Sequence, residues 1–218
     1  MASVSGECGE LADRLRRGDE RALAELFSQH RERLWRMVSF RMDRRLGGRV
    51  DPDDVLQEAY LAAAQRLAHF AAGAPVSPFA WLRAIVLQTM VDVHRRHKGA
   101  QMRDVGREVP VAPGAYPQAT SASLAIHLVG SVTSPSQAAA RAETLAAVEQ
   151  AIGGMDPVDQ EVLALRHFEE LTNSEVAEVL GLQPKAASIR YVRAVRRLKE
   201  ILSQTPGFSE GTDDAGRR

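Results

Sequence analysis

The spacing of apolar residues along the chain predicts helices and no strands. From about Asp19, apolar side chains recur every three or four positions, with arginine and glutamate between them. This is the period of an amphipathic helix, and Asp19 after a glycine is a suitable N-cap. The apolar positions of this helix are Leu23, Leu26, Phe27, Leu34 and Val38.

Prolines mark two further helix starts. Residues 51–54 read Asp-Pro-Asp-Asp, which offers a cap, a proline at the first helical position and acids in the first turn. A helix is therefore predicted from Pro52 to about His69. Residues 71–78 contain a glycine and two prolines and cannot continue it. The next helix is expected from about Pro78 to Lys98.

The helical period disappears between residues 99 and 135, where proline, glycine, serine and threonine are frequent. We interpret this stretch as a flexible linker, in which residues 124–129 form at most a transient turn. The linker separates a domain over 11–98 from a second domain over 136–203. The polar ends, residues 1–10 and 204–218, are expected to be disordered.

Four helices are predicted in the second domain, over 136–152, 157–168, 173–180 and 184–202. Thr172 begins a capping box with Glu175, and Gly181 is a typical helix stop. A short capped helix, a three-residue turn and a longer helix form the pattern of a helix-turn-helix motif. The predicted fold class is all-α, with two small helical domains joined by a flexible linker.

Composition limits the possible functions. The 218 residues contain 28 Lys+Arg and 28 Asp+Glu, so nucleic acid is not coated by bulk positive charge. Cys8 is the only cysteine, which excludes an internal disulfide and a multi-cysteine zinc site. There is no run of 18 apolar residues and no signal-peptide pattern, so we expect no membrane insertion and a cytoplasmic protein.

The last predicted helix is strongly basic. Residues 183–199 contain six lysines or arginines and no acid. Such a helix can be the solvated face of an ordinary bundle, but the turn, the caps and the one-sided charge favour DNA binding. The basic positions are Lys185, Arg190, Arg193, Arg196, Arg197 and Lys199.

A second basic segment ends the first domain, at residues 94–98. Its charge density favours phosphate binding over simple compensation of the helix dipole. His94 and His97 are three residues apart, but no further ligand lies near them in sequence, so we predict no metal site and no cofactor. Trp81 could stack on unpaired bases, although core packing is the more ordinary role of such an aromatic residue.

An acidic and polar cluster lies in the helix that starts at Pro52. Asp54, Gln57 and Glu58 share one face at the helical period. Acids in a first turn also stabilise the helix dipole, so the cluster alone does not define a function. No nucleophile, metal set or phosphate loop accompanies these carboxylates, and we predict no catalytic residues.

These motifs together resemble bacterial RNA polymerase sigma factors of the extracytoplasmic-function (ECF) type. Residues 54–60, Asp-Val-Leu-Gln-Glu-Ala-Tyr, look like the D-x-x-Q-E-x-F/Y segment of that family. Residues 79–96 follow with the family's next pattern, including Phe-Ala-Trp-Leu and Arg-Arg. In the second half, the patterns at 161–166, 175–181 and 190–194 resemble the family's second domain. The likeness covers about residues 11–98 and 138–202.

The resemblance implies a division of labour. The first domain (region 2) would bind the coiled coil of the polymerase largest subunit through Asp54, Gln57 and Glu58. It would also open the downstream (−10) promoter element, with loop 71–78 holding a flipped base. The residues implied at the downstream element are Trp81, Gln88, Asp92, Arg95, Arg96 and Lys98.

The second domain (region 4) would touch the polymerase flap and place its helix-turn-helix on the upstream (−35) element. The resemblance implies Lys185, Ser188, Arg190 and Arg193 as DNA-binding residues there. It also implies an anti-sigma factor as a further partner, which the sequence does not name. Gln88 stands where the family usually has asparagine, and Ala-Ala-Ser-Ile at 186–189 replaces a common Thr-Val-Lys-Ser. Promoter sequence therefore cannot be transferred from relatives.

The expected function is promoter-specific transcription initiation with core RNA polymerase, and not an enzymatic activity of the chain itself. Two other functions fit parts of the sequence. A helix-turn-helix regulator that does not replace sigma would leave the cluster at 54–58 unused. A helical protein-interaction adaptor would use its basic helices only for solubility. The acidic face together with two separate basic helices favours the sigma factor.

Overall fold

The computed structural model describes residues 3–42, 50–71, 77–101, 120–130 and 138–204. Within these ranges every regular element is an α-helix, which confirms the predicted fold class. The chain divides into two compact units, Met1–Pro117 and Gln118–Arg218. Both units are helical, and the second contains the helix-turn-helix pattern read from the sequence.

The first unit packs around the middle of its third helix. Helix α2 contacts α3 and α4, α3 contacts α4, and α1 lies on α2 and α3. Ala59 and Ala63 of α3 are completely buried; their small side chains let neighbouring helices approach closely. The helices are α1 (Ser3–Arg16), α2 (Glu20–Arg41), α3 (Pro52–Ala71) and α4 (Pro78–Gln101).

Helix α1 corrects the expected disordered N-terminal tail, because it begins at Ser3. Leu11, Ala12 and Leu15 are buried, and their one-turn spacing fixes the second half of α1 on α2 and α3. The preceding residues continue the same helix. These three apolar residues are too few to show a helical period in the sequence.

The starts of α3 and α4 follow the predicted proline signals. The amide of Asp53 donates to the Asp51 carboxylate at 2.9 Å. At α4, the amide of Ala80 donates to the Ser77 hydroxyl at 3.2 Å. Prolines at the first positions of both helices lose no helical hydrogen bond there. Most of the predicted base-holding loop, residues 72–76, lies outside the described residues.

The second unit contains five helices in its described part. Helices α7, α8 and α9 pack on one another, α6 contacts α9, and α5 packs on α6 and α7. This arrangement places the helix-turn-helix against a support made by the preceding helices. The bounds are α5 (Ser121–Gly130), α6 (Ala138–Gly153), α7 (Pro157–His167), α8 (Asn173–Leu180) and α9 (Pro184–Gln204).

Helix α5 lies inside the segment predicted as a flexible linker and corrects that prediction for residues 121–130. Leu124, Ala125 and Val129 are buried. Thr120 caps the helix, since its hydroxyl accepts the amide of Ser123 at 3.1 Å. Burial against α6 and α7 stabilises a helix whose ten residues would be marginal alone. Residues 99–101 of the predicted linker belong to α4, which ends at Gln101. Linker residues 102–119 and 131–135 and the tail 205–218 lie outside the described residues.

Candidate polymerase and promoter interfaces

The acidic cluster of α3 forms one exposed face. Asp54, Gln57 and Glu58 are exposed, whereas Val55 between them and Ala59 directly after them are buried. A helix with this alternation presents its polar side chains together on the side opposite the core. The structure therefore brings the three predicted polymerase-binding residues into one surface.

An ion pair links this face to the neighbouring helix. The Arg96 guanidinium of α4 donates to the Glu58 carboxylate of α3, and both side chains remain substantially exposed. A second pair joins Arg31 of α2 to Asp53. Exposed pairs of this kind contribute little to stability, about 0–1 kcal/mol, so a partner could exchange them. The acidic face and the basic end of α4 are thus adjacent.

The predicted downstream-element residues follow one face of α4. Trp81, Gln88, Asp92 and Arg95 succeed one another at intervals of seven, four and three residues, which is the helical repeat. The Gln88 amide donates to the Asp92 carboxylate at 3.1 Å. Arg95 and Arg96 are exposed. Lys98 belongs to α4, but its side chain lies outside the described residues.

Trp81 is only partly buried. Its ring lies 4.9 Å from the ring of Phe70, tilted by 46°. Phe70 is buried in the core, so it supports the tryptophan from one side. Trp81 therefore packs on the core through Phe70 and keeps part of its ring exposed at the start of α4. Its stacking on an unpaired base stays a prediction.

The turn between α8 and α9 is built as a helix-turn-helix. The Thr172 hydroxyl accepts the amide of Glu175 at 3.3 Å, and the Glu175 carboxylate accepts the amide of Thr172 at 2.7 Å. Gly181 ends α8 with φ +63°, a left-handed conformation that glycine adopts without steric cost. The Asn173 side chain donates to the Pro184 carbonyl at 2.8 Å and ties the start of α8 to the start of α9.

Helix α9 has two opposite faces. Ala187, Ala194 and Ile201 are buried and form the face toward the unit's core. The other face is exposed along four turns and contains cations, a serine and two large apolar residues. Its members are Lys185, Ser188, Ile189, Val192, Arg196 and Lys199.

Two of the predicted DNA-binding arginines lie at the side of α9 and bind an acid of α7. Arg190 donates to the Asp159 carboxylate at 2.8 Å, and Arg193 donates to both of its oxygens at 3.2 Å. Asp159 is only 9% exposed. Hydrogen bonding to Asp159 is the main cause that raises the pKa of Arg193. Both arginines therefore attach α9 to its support.

A histidine lies on the other flank of α9. The Tyr191 hydroxyl and His167 Nε2 are 3.4 Å apart, and the Arg166 guanidinium lies over the Tyr191 ring. Partial burial lowers the pKa of His167, and the charge of Arg166 lowers it further. The surroundings of His167 therefore favour its neutral form over its charged form.

The described part of the chain offers neither a metal site nor a membrane-spanning helix. In the described ranges, no three His, Cys, Asp or Glu side chains are grouped so that they could hold a metal ion. None of the helices there has both the length and the apolar composition needed to cross a membrane.

Comparison with known proteins identifies the family. Residues 26–100 match the Sigma-70 region 2 family, and residues 145–198 match Sigma-70 region 4. The RNA polymerase sigma factor CnrH of Cupriavidus metallidurans is 30% identical over 88% of this chain and 92% of its own length. The chain belongs to the RNA polymerase sigma factors of the ECF type. It is also 26% identical to the ECF sigma factor BldN of Streptomyces coelicolor, over 92% of this chain and 67% of that protein.

Among solved structures, CnrH in complex with the cytosolic domain of CnrY matches with a TM-score of 0.47 and 27% identity. The match with CnrH covers 88% of this chain and 95% of the CnrH chain. The RsbN–BldN complex matches with a TM-score of 0.31 and 21% identity, and this match covers 88% of this chain and 99% of the matched chain. As a sigma factor, the protein acts with RNA polymerase on promoter DNA and directs promoter-specific transcription initiation.

Sequence reasoning missed three residues that shape the surface of α9. Asp159 was overlooked because a buried acceptor for arginines gives no local sequence signal. Ile189 and Val192 were overlooked because apolar residues in a helix are ordinarily assigned to the core. The helical period could have indicated their exposure, because it places Ile189 and Val192 on the side of α9 opposite Ala187 and Ala194.

Proposed function

We propose that the sigma factor binds the coiled coil of the polymerase largest subunit through Asp54, Gln57 and Glu58. The observation that carries this proposal is their joint exposure on α3, above the buried Val55 and Ala59. A compact acidic face is suited to a basic partner, because complementary charges steer association and fix the register of the interface.

The downstream promoter element would meet the exposed face of α4 beside the docking surface. Trp81 offers a ring edge for stacking on an unpaired base, and Arg95 and Arg96 offer cations to phosphates. Arg96 would exchange its pair with Glu58 for a phosphate when DNA and polymerase are both present. Gln88 and Lys98 stay candidates on the same helix, together with the base-holding loop at 71–78.

The upstream promoter element would be bound by the exposed face of α9. In this proposal Lys185 and Ser188 approach the DNA, whereas Arg190 and Arg193 mainly position α9 through Asp159. The second unit would also touch the polymerase flap, and an anti-sigma factor is a further proposed partner. The chain itself catalyses no reaction in this scheme: it selects and opens the promoter for the polymerase.

The test reverses the charge of the α3 face in the full chain with Asp54→Arg and Glu58→Lys. Losing a buried charged contact typically costs about 2–5 kcal/mol, so the double variant should fail to co-purify with core polymerase and to support run-off transcription. Folding should persist, because exposed substitutions usually change stability by about 0.5 kcal/mol.

Glu10→Lys with Asp13→Arg is the matched control. It makes the same change of charge at two exposed acids of α1 in the same unit, and it should bind polymerase normally. Circular dichroism melting checks that both double variants are folded. If a folded α3 variant still binds polymerase and initiates at the normal rate, the docking surface is elsewhere.

A further inference from the structure

Ile189 and Val192 are the most exposed of the three large apolar side chains that α9 leaves in solvent, the third being Val195. Ile189 is 59% exposed and Val192 is 64% exposed, and they are three residues apart on one face. They contribute nothing to the core, which α9 meets through Ala187 and Ala194 on the opposite side. An exposed apolar pair in the first three turns of a recognition helix stands where base edges are read.

The surroundings of this pair favour DNA as its partner. Lys185 precedes it and Arg196 and Lys199 follow it on the same face, and residues 183–199 contain no acid. Cations at both ends of the pair can bind phosphates and hold the apolar centre in the major groove. An apolar surface that docks on a protein would not require this cationic frame.

The arginines that would ordinarily read guanine are engaged elsewhere. Arg190 and Arg193 both donate to the buried carboxylate of Asp159. Bidentate recognition of a guanine needs a free guanidinium fork, and releasing Arg190 would leave Asp159 without its shortest hydrogen bond. The exposed groups at the start of α9 are instead a lysine, a serine and the two apolar side chains.

We propose that α9 reads the upstream promoter element through contacts of Ile189 and Val192 with thymine C5-methyl groups. The inference rests on the proposed role of α9 in binding that element. In the major groove, thymine is the base that presents a methyl group, and apolar side chains contact it. Residues three apart lie about 5–6 Å from each other at their Cβ atoms. Base pairs are about 3.4 Å apart, so the two side chains reach neighbouring or next-neighbouring pairs.

Replacement of thymine by deoxyuridine removes this methyl group and leaves base pairing intact. Holoenzyme made from the full chain and core polymerase first selects duplexes from a library randomised through the upstream segment. Each thymine of that segment in the strongest duplex is then replaced by deoxyuridine. Affinity of the holoenzyme should fall about fourfold for each contacted methyl, the equivalent of burying one such group.

The variants Ile189→Ala and Val192→Ala assign the effect to α9. Each should bind more weakly than wild type to the thymine duplex, and each should lose its sensitivity to one deoxyuridine position. Val158→Ala is the control, because Val158 is an exposed apolar residue of α7, outside both α9 and the acidic face of α3. Holoenzyme with this variant should show the same difference in affinity between the thymine and the deoxyuridine duplexes as wild type.

The outcomes distinguish the reading of methyl groups from the binding of DNA by α9. If deoxyuridine changes nothing while Arg196→Ala weakens binding, α9 binds DNA without reading methyl groups and this inference is overturned. If Ile189→Ala and Val192→Ala reduce co-purification with core polymerase instead, the pair contacts protein and the inference is likewise overturned. If none of the α9 variants alters DNA binding, the proposed role of α9 fails as well.

Discussion

Neighbouring cations on α9 have different surroundings, although the sequence presents them as one basic run. Arg190 and Arg193 bind the nearly buried Asp159, whereas Lys185 and Arg196 lie on the exposed face. A carboxylate removed from water requires such partners, since an unpaired buried charge is strongly destabilising. The cations that lie beside α7 position the helix, and those on the exposed face are available to bind anions. Residue type does not distinguish the two groups.

We expect Asp159→Asn to lower the free energy of unfolding of the second unit by about 1.5–3 kcal/mol, the usual size for hydrogen bonds to charged groups. Urea unfolding followed by circular dichroism measures it. The fluorescence of the two tryptophans, Trp35 and Trp81, reports the first unit and should be unchanged.

Glu143→Gln removes the same charge from an exposed site on α6 and should change stability by no more than about 0.5 kcal/mol. Equal unfolding curves for Asp159→Asn and Glu143→Gln would contradict the anchoring role of Asp159.

At the scale of elements, α5 shows how packing decides whether a segment folds. Residues 121–130 are short and lie in proline- and serine-rich surroundings. Yet Leu124 and Ala125 are buried to 1% and 0% exposure on α6 and α7. The free energy of burying these side chains offsets the cost of forming a short helix. The second compact unit therefore includes a helix that precedes the segment its sequence pattern marks.

Leu124→Ala should lower the stability of the second unit by about 2–5 kcal/mol, because it removes a buried side chain and leaves a cavity. Amide hydrogen exchange in α6 and α7 should accelerate accordingly. Leu61→Ala makes the same change at an exposed site of α3 and should leave exchange in α6 and α7 unaltered. Unchanged exchange in Leu124→Ala would mean that α5 is not an integral part of the unit.

At the scale of the whole molecule, the formal net charge is zero, so DNA affinity depends on local surfaces. The cations on the exposed face of α9 are Lys185, Arg196 and Lys199, whereas Arg190 and Arg193 bind Asp159 and Arg197 pairs with Glu200. Three cations give a modest affinity for duplex DNA, in the non-specific range at physiological salt. A sigma factor built in this way depends on polymerase to bring its two units to the promoter together.

The salt dependence of DNA binding by the full chain tests this account. Three phosphate contacts contribute roughly −2.7 to the slope of log K against log salt concentration, because each contributes about −0.9. Arg196→Ala should therefore reduce the magnitude of the measured slope by about 0.9. Arg16→Ala, at an exposed arginine of α1, should leave it unaltered, and a salt-independent wild type would exclude phosphate binding by α9.

The amino-acid sequence by itself determined the local structure of this protein. Proline after aspartate placed the starts of α3 and α7, the Thr172–Glu175 box and Gly181 bounded α8, and the helical period gathered Asp54, Gln57 and Glu58 on one face. These features depend on contacts between residues within one turn of each other, so the local sequence specifies them without help from distant parts of the chain.

Only the tertiary structure decided the ends of the units and the roles of individual α9 side chains. Helices α1 and α5 form because their few apolar residues are buried on distant parts of the chain. Arg190 and Arg193 are diverted from the exposed face by Asp159, about thirty residues earlier. Ile189 and Val192 are left in solvent because the core of the unit lies on the other side of α9. Such outcomes depend on long-range packing, which local sequence patterns do not encode.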